Sequence, residues 1–229
     1  MTHKVLNFAL VKILIGFIFC AGIVVFAQIG LSKLLAVTGM EKEEKMLFTG
    51  IVVASLSIVT YTWLFRFYEK RRITELSVKG IGKNLSLGIC MGIALQSLTI
   101  LVIYLNKGFT VISVNSMLFM LPSLAMAFTS AIFEEILFRG IIFRITEEKL
   151  GSYWALIISA AIFGAMHLAN PHSSILAALG LAIQAGLLLA AAYIFSRNLW
   201  FPIAIHFAWN FTQSGIYGVS TSGSNMGKS

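Results

Sequence analysis

The stretch Glu134-Glu135-Ile136-Leu137-Phe138-Arg139-Gly140 closes an apolar run that begins near Ser116 and has no charge before Glu134. Its reading decides the fold. Charged side chains inside a membrane helix are costly, and by default they mark a functional site. The chain around it has 229 residues, 58% hydrophobic and 11% charged, with mean hydropathy +0.89. Soluble domains carry about 25% charged residues. The composition therefore predicts an all-α fold, a polytopic transmembrane helical bundle. A helix crosses a bilayer with about 20 apolar residues, and seven segments meet or approach that length: 13–31, 46–65, 85–105, 116–133, 152–169, 174–195 and 199–217. Such long unbroken runs are not the short alternating strands of a membrane barrel.

Three parts follow. Residues 1–115 hold three spans and a basic loop at 66–83, residues 116–217 hold the chemically active side chains, and 218–229 is a Gly/Ser-rich tail expected to fray. The net charge of +8 does not imply nucleic acid. The basic residues lie beside apolar spans, where they set topology and meet anionic lipid. Arg66, Lys70, Arg71, Arg72, Lys79 and Lys83 place their loop in the cytoplasm. The N-terminus with Lys4 and Lys12 then lies inside too, and seven spans put the C-terminus outside. Residues 13–31 outrun the ~7–15-residue apolar region of a signal peptide, and no Ala-x-Ala site follows, so they read as a retained anchor. Cys20 and Cys90, within apolar runs, read as small buried hydrophobes. Gly88 and Gly92 read as a close helix-packing stripe.

The polar residues of catalytic type fall in three of the last four spans. Glu135 and Arg139 stand four apart with the acid first, the better order for an ion pair. Phe163 and His167 share a helix face, as do His206 and Asn210. Glu134 lies ~100° around the helix from Glu135, has no local cation, and must find its partners on other helices. Measured from the basic end at 1.5 Å per residue, Glu134 sits ~16 Å deep, His167 ~22 Å, His206 ~10 Å and Asn210 ~16 Å. One band across the bundle and a cytoplasm-facing, water-filled cavity are expected. His3, a terminal residue, and His172, beside Pro171 in a loop, carry no such role.

One unpaired carboxylate and one imidazole can hold and deprotonate a water. A second imidazole and an amide can donate to a developing oxyanion. That is the constellation of a hydrolase for an acyl bond such as a peptide. No HExxH is present, and no cofactor is firmly implied. Glu134, His167 and His206 could still be three ligands of a catalytic zinc. Either histidine alone, or Asn210, could equally be a hydrogen bond between helices. What favours chemistry is the coincidence of all of them within the membrane.

Glu134-Glu135-x-x-x-Arg139, Phe163-x-x-x-His167 and His206-x-x-x-Asn210, in this order on separate helices, resemble the CPBP intramembrane proteases. That family includes the CAAX prenyl proteases and bacteriocin-processing or immunity-type proteins. The resemblance covers about residues 116–217. It implies that Glu134, helped by His167, activates water, that His206 and Asn210 stabilise the oxyanion, and that Glu135, Arg139 and Phe163 support them. It implies a glutamate-dependent intramembrane protease in a bacterial cell membrane, acting on membrane peptides or lipidated protein tails. Relatives often continue with a further hydrophobic helix, whereas this chain stops at Ser229, as a short form or a truncated product. The alternative is a non-catalytic peptide-binding or immunity protein using the same cavity. A proton-coupled carrier is disfavoured by the lack of an inverted repeat.

Overall fold

The computed structural model describes residues 8–171 and 173–221. His3, Lys4, His172, Lys228 and most of the Gly/Ser-rich tail lie outside that set. Among the described residues the chain is a helical bundle with no sheet. Helix α1 spans Ala9–Ala36, α2 Lys42–Tyr68 and α3 Ile81–Leu105. The turn between the first two ends in a capping box. The Glu41 side chain accepts from the backbone of Glu44, and the Glu44 carboxylate accepts from Glu41 N (3.0 Å), so orphan donors at the helix start are satisfied reciprocally. Gly80 precedes α3 with φ 73°, a conformation that glycine adopts without steric cost.

After a 3₁₀ turn at Met117–Met120, α4 (Leu121–Glu135) starts with Pro122 in its first turn, where a missing N–H costs nothing. It runs into a π-helical segment, Ile136–Phe143, and then into α5, Arg144–Met166. The apolar helix of 53 residues from Met117 to Ala169 would be ~80 Å long if straight, far beyond the ~30 Å bilayer core. It breaks at Gly151, with φ 79° and ψ 168°. The chain doubles back there, so that the Phe138 and Phe163 ring centroids lie 4.9 Å apart. α6 (Ile175–Leu181), a π-helical segment (Ala182–Leu187) and α7 (Leu188–Ser196) form the next leg. α8, Trp200–Phe211, ends in a third π-helical segment, Thr212–Ile216.

Among the described residues, five helices are long and apolar enough to cross a membrane. One of them is the doubled leg, and α8 with its π-helical extension is a further, shorter one, so about seven spans describes the bundle. Gly88 and Gly92 let α3 lie directly against α8. A Cβ on Gly88 would stand 2.5 Å from the Ala204 Cβ, and one on Gly92 2.5 Å from the Ile205 carbonyl oxygen. Cys20 is buried as expected, but Cys90 is exposed, because it lies on the outward side of the same helix.

The loop after α2 does more than set topology. Glu69 pairs with Arg71 (2.9 Å), Arg144 (2.9 Å) and Lys12 (3.3 Å). Glu75 is buried, takes Arg71, and accepts from the Tyr61 hydroxyl. Burial alone would raise both carboxyls. The cations outweigh it, Arg144, Arg71 and Lys12 at Glu69, and Arg71 with the Tyr61 hydroxyl at Glu75, and both lie below the usual carboxylate range. The same loop holds the start of α8: Leu199 N donates to the Glu75 carbonyl (2.7 Å), and Asn198 Nδ2 donates to that of Ser77 (2.8 Å). It therefore ties the start of α5, at Arg144, to the start of α8.

Candidate active site

Glu134 and Glu135 end α4, immediately before the π-helical turn. π-bulges occur frequently at functional sites, and here the turn has a visible support. The Arg144 N–H bonds back to the Arg139 carbonyl, five residues earlier. The Gly140 carbonyl instead accepts from the Tyr61 hydroxyl (2.9 Å) and from Arg144 Nε (2.9 Å). Tyr61 lies so close that a Cβ on Gly140 would meet its ring at 3.1 Å.

The two acids part company as their positions around the helix require. Glu135 is 0% exposed and accepts from Arg139 Nη1 (2.7 Å) and His206 Nδ1 (2.9 Å) on the same oxygen. Arg139, equally buried, also donates through Nη2 to the carbonyls of Ala185 (3.3 Å) and Gly186 (3.0 Å) in the second π-helical segment, and lies 4.9 Å over the Phe163 ring. Phe163 in turn packs on His167 at 4.7 Å and on His206 at 6.3 Å between centroids. It is the apolar hub that the polar groups surround.

Glu134 has no cation. Its side chain is 24% exposed, and its Oε2, though itself buried, has no hydrogen-bond partner. His167 Nε2 and His206 Nε2 each stand 3.9 Å from that oxygen. The tautomers follow from the partners, since a carbonyl and a carboxylate can only accept. Nδ1–H of His167 donates to the Phe163 carbonyl (2.8 Å), and that of His206 donates to Glu135. Both Nε2 atoms are thus turned toward Glu134. A separation of 3.9 Å is too long for a direct hydrogen bond and leaves room for a bridging water.

Asn210, one turn beyond His206, donates to Ser130 Oγ at 3.4 Å. Ser130 stands one turn before Glu134. That spacing was the available signal for a residue the motif reading passed over. Two cavities flank this contact, Ser130 lining one and Asn210 the other. The first, about 540 Å³, lies between α1, α2 and α4, with Ser130, Phe133 and Glu134 along it and Lys42 and Lys45 at its far end. The second, about 210 Å³, lies between α3, α8 and the α6–α7 leg, with His206 and Asn210 in its wall. Both extend away from the Glu69–Glu75 loop. If the basic loop is cytoplasmic, they open to the opposite side, and the expected cytoplasm-facing cavity is not what the packing forms. The reason is that the clamp of Glu69, Glu75, Tyr61 and Arg144 closes the basic end.

The donor types of Glu134, His167 and His206 suit zinc, and each Nδ1 is held as second-shell partners hold metal ligands. The spacing does not suit it: tetrahedral ligands at 2.0–2.1 Å from zinc lie about 3.4 Å apart, against 3.9 Å for both pairs here. Among the described residues no three His, Cys, Asp or Glu side chains converge to hold an ion.

Residues 115–212 match the family model described as type II CAAX prenyl endopeptidase Rce1-like. The matched stretch contains all three motifs, Glu134 to Arg139, Phe163 to His167 and His206 to Asn210. The chain is also similar to "Putative membrane peptidase YdiL" of Bacillus subtilis (strain 168), 35% identical over 79 residues. The aligned stretch spans 34% of this chain and 30% of that relative. No solved structure matches. Glu134, His167 and His206, all within the matched stretch, are the residues the fold brings together.

Proposed function

We propose that the protein is an intramembrane endopeptidase that hydrolyses peptide bonds of membrane-associated peptides or protein tails. One observation carries this reading: the unpartnered oxygen of Glu134, at a cavity wall, faced by two imidazole Nε2 atoms at 3.9 Å. A water between Glu134 and His167 gives its proton to the Glu134 carboxylate as its oxygen attacks the scissile carbonyl. Asn210 Nδ2 and a protonated His206 Nε2 donate to the resulting oxyanion. Glu134 then passes the proton to the leaving amine, and the C–N bond breaks. Glu135 and Arg139 take no part in proton transfer. They hold the His206 ring and keep its Nε2 on the site.

Access runs from the end of the bundle opposite the basic loop, either along the first cavity between α1, α2 and α4 or through the second. With the Lys/Arg distribution read as cytoplasmic at 66–83, substrates reach the site from the outer side of the membrane. The test is incubation of the purified protein in lipid nanodiscs with a library of hydrophobic peptides, with and without chelator, beside Glu134→Gln. Cleavage by the wild type, lost in Glu134→Gln and indifferent to chelator, is expected. Peptide binding without cleavage points to the non-catalytic reading, and loss of turnover with chelator overturns the metal-free mechanism.

A further inference from the structure

The second cavity holds a polar side chain that this chemistry does not use. Gln96, on α3, is 3% exposed and lines the cavity with His206 and Asn210. Of the other polar groups there, Thr99 donates to the Leu95 carbonyl, Asn210 to Ser130 and Gln213 to the Ser220 carbonyl, while Gln184 is exposed, so that Gln96 is the buried carboxamide of the lining. Gln96 makes no hydrogen bond among the described residues. Buried amides are nearly always hydrogen-bonded, and one left unpaired calls for an explanation.

Its position is imposed by packing. Gly88, Gly92 and Gln96 follow one another at four-residue spacing on a single stripe of α3. The two glycines bring that stripe onto α8, where a Cβ on Gly92 would lie 3.0 Å from the Trp209 backbone nitrogen. Gln96 is carried one turn further, to the level of residues 209–213. The helix–helix contact that buries Gln96 also places it in the cavity whose wall includes His206 and Asn210, the groups assigned to the oxyanion.

We infer that the second cavity is a specificity pocket for one substrate side chain flanking the scissile bond, one with an apolar body and a hydroxyl or carboxamide tip that Gln96 hydrogen-bonds. This rests on the protease reading above. The cavity, about 210 Å³, is below the ~300–1,000 Å³ of small-molecule sites, a size for one side chain. Ile100, Ile103 and Leu188 supply its apolar wall. A site built to hydrogen-bond a substrate group rejects the analogue that lacks it far more strongly than an apolar pocket rejects a missing methylene.

The experiment uses the full chain in nanodiscs and one hydrophobic peptide sequence in which each position in turn is Tyr or Phe, and Gln or Met. Affinity is measured on the Glu134→Gln protein and cleavage on the otherwise wild-type protein. At one position the Tyr and Gln peptides should be favoured at least tenfold over Phe and Met. Gln96→Met should bring that ratio within twofold of unity while leaving the Phe and Met peptides unchanged. A ratio that survives Gln96→Met, or equal loss for every peptide, overturns the pocket. Gln96→Asn, which keeps the amide one methylene shorter and should give an intermediate ratio, replaces Gln96→Met in the same measurement if the latter does not fold. If no peptide is cleaved but the Gln96-dependent preference appears in binding, the protease reading fails and the pocket stands.

Discussion

The bundle contains two clusters of buried charge, and they are built to opposite rules. At the basic end, Glu69 and Glu75 each have a cation within 3.3 Å, and Lys12, Arg71 and Arg144 converge on them from three parts of the chain. Roughly ten residues deeper in the same helical system, Glu135 and Arg139 follow that rule at 2.7 Å, but Glu134 does not. Among the described residues it makes no ion pair with a lysine or arginine, and the two imidazoles stand 3.9 Å away. Charges that serve stability are brought into contact. On the proposed reading, a carboxylate that has to exchange a proton is held beyond hydrogen-bond reach of its neighbours, where one water can bond to both.

The comparison can be broken most forcefully at Arg139. Arg139→Met leaves the Glu135 carboxylate buried beside His206 alone, and breaking a buried pair costs about 3–5 kcal/mol. Thermal unfolding in detergent should register that loss, and Arg139→Met with Glu135→Leu should restore most of it. Next is Tyr61→Phe, which removes the hydroxyl from both Glu75 and the Gly140 carbonyl. About 1–3 kcal/mol is expected, together with lower turnover as the π-helical turn loses its brace. A smaller effect is pH-dependent. Glu69 and Glu75 lie below their ordinary value in the fold, so their contribution is complete above about pH 4.5 and is lost as pH falls through the lowered range. Melting temperature should drop below that pH, and Glu75→Gln should flatten the drop. Smallest is Ser130→Ala. Removing an oxyanion donor itself costs about 10²–10³-fold. Ser130 acts only by orienting Asn210, so a turnover loss below about tenfold with unchanged melting is expected.

The membrane legs were legible because an apolar run long enough to cross a bilayer needs no tertiary information. The Glu135–Arg139 pair was legible from four-residue spacing alone. Three things were not. The π-helical segments around Gly140 and Gly186 depend on carbonyls finding partners from distant helices, Tyr61 for Gly140 and Arg139 for Gly186. The loop after α2 looked like a topology signal because its acids are scattered among six basic residues, and only folding shows Glu69 and Glu75 turned inward. The direction in which the site opens was read from depth along single helices. It is decided instead by which end of the bundle the charged clamp seals.

The central claim is that two adjacent glutamates have separate jobs, and Glu134→Gln beside Glu135→Gln in proteoliposomes tests it most directly, with peptide turnover and melting temperature read on both. The account predicts that Glu134→Gln lowers turnover by about 10²–10⁴-fold, the usual worth of a general base, with melting unchanged, whereas Glu135→Gln lowers the melting temperature. Turnover retained in Glu134→Gln, or a melting loss in it equal to that of Glu135→Gln, would contradict the account.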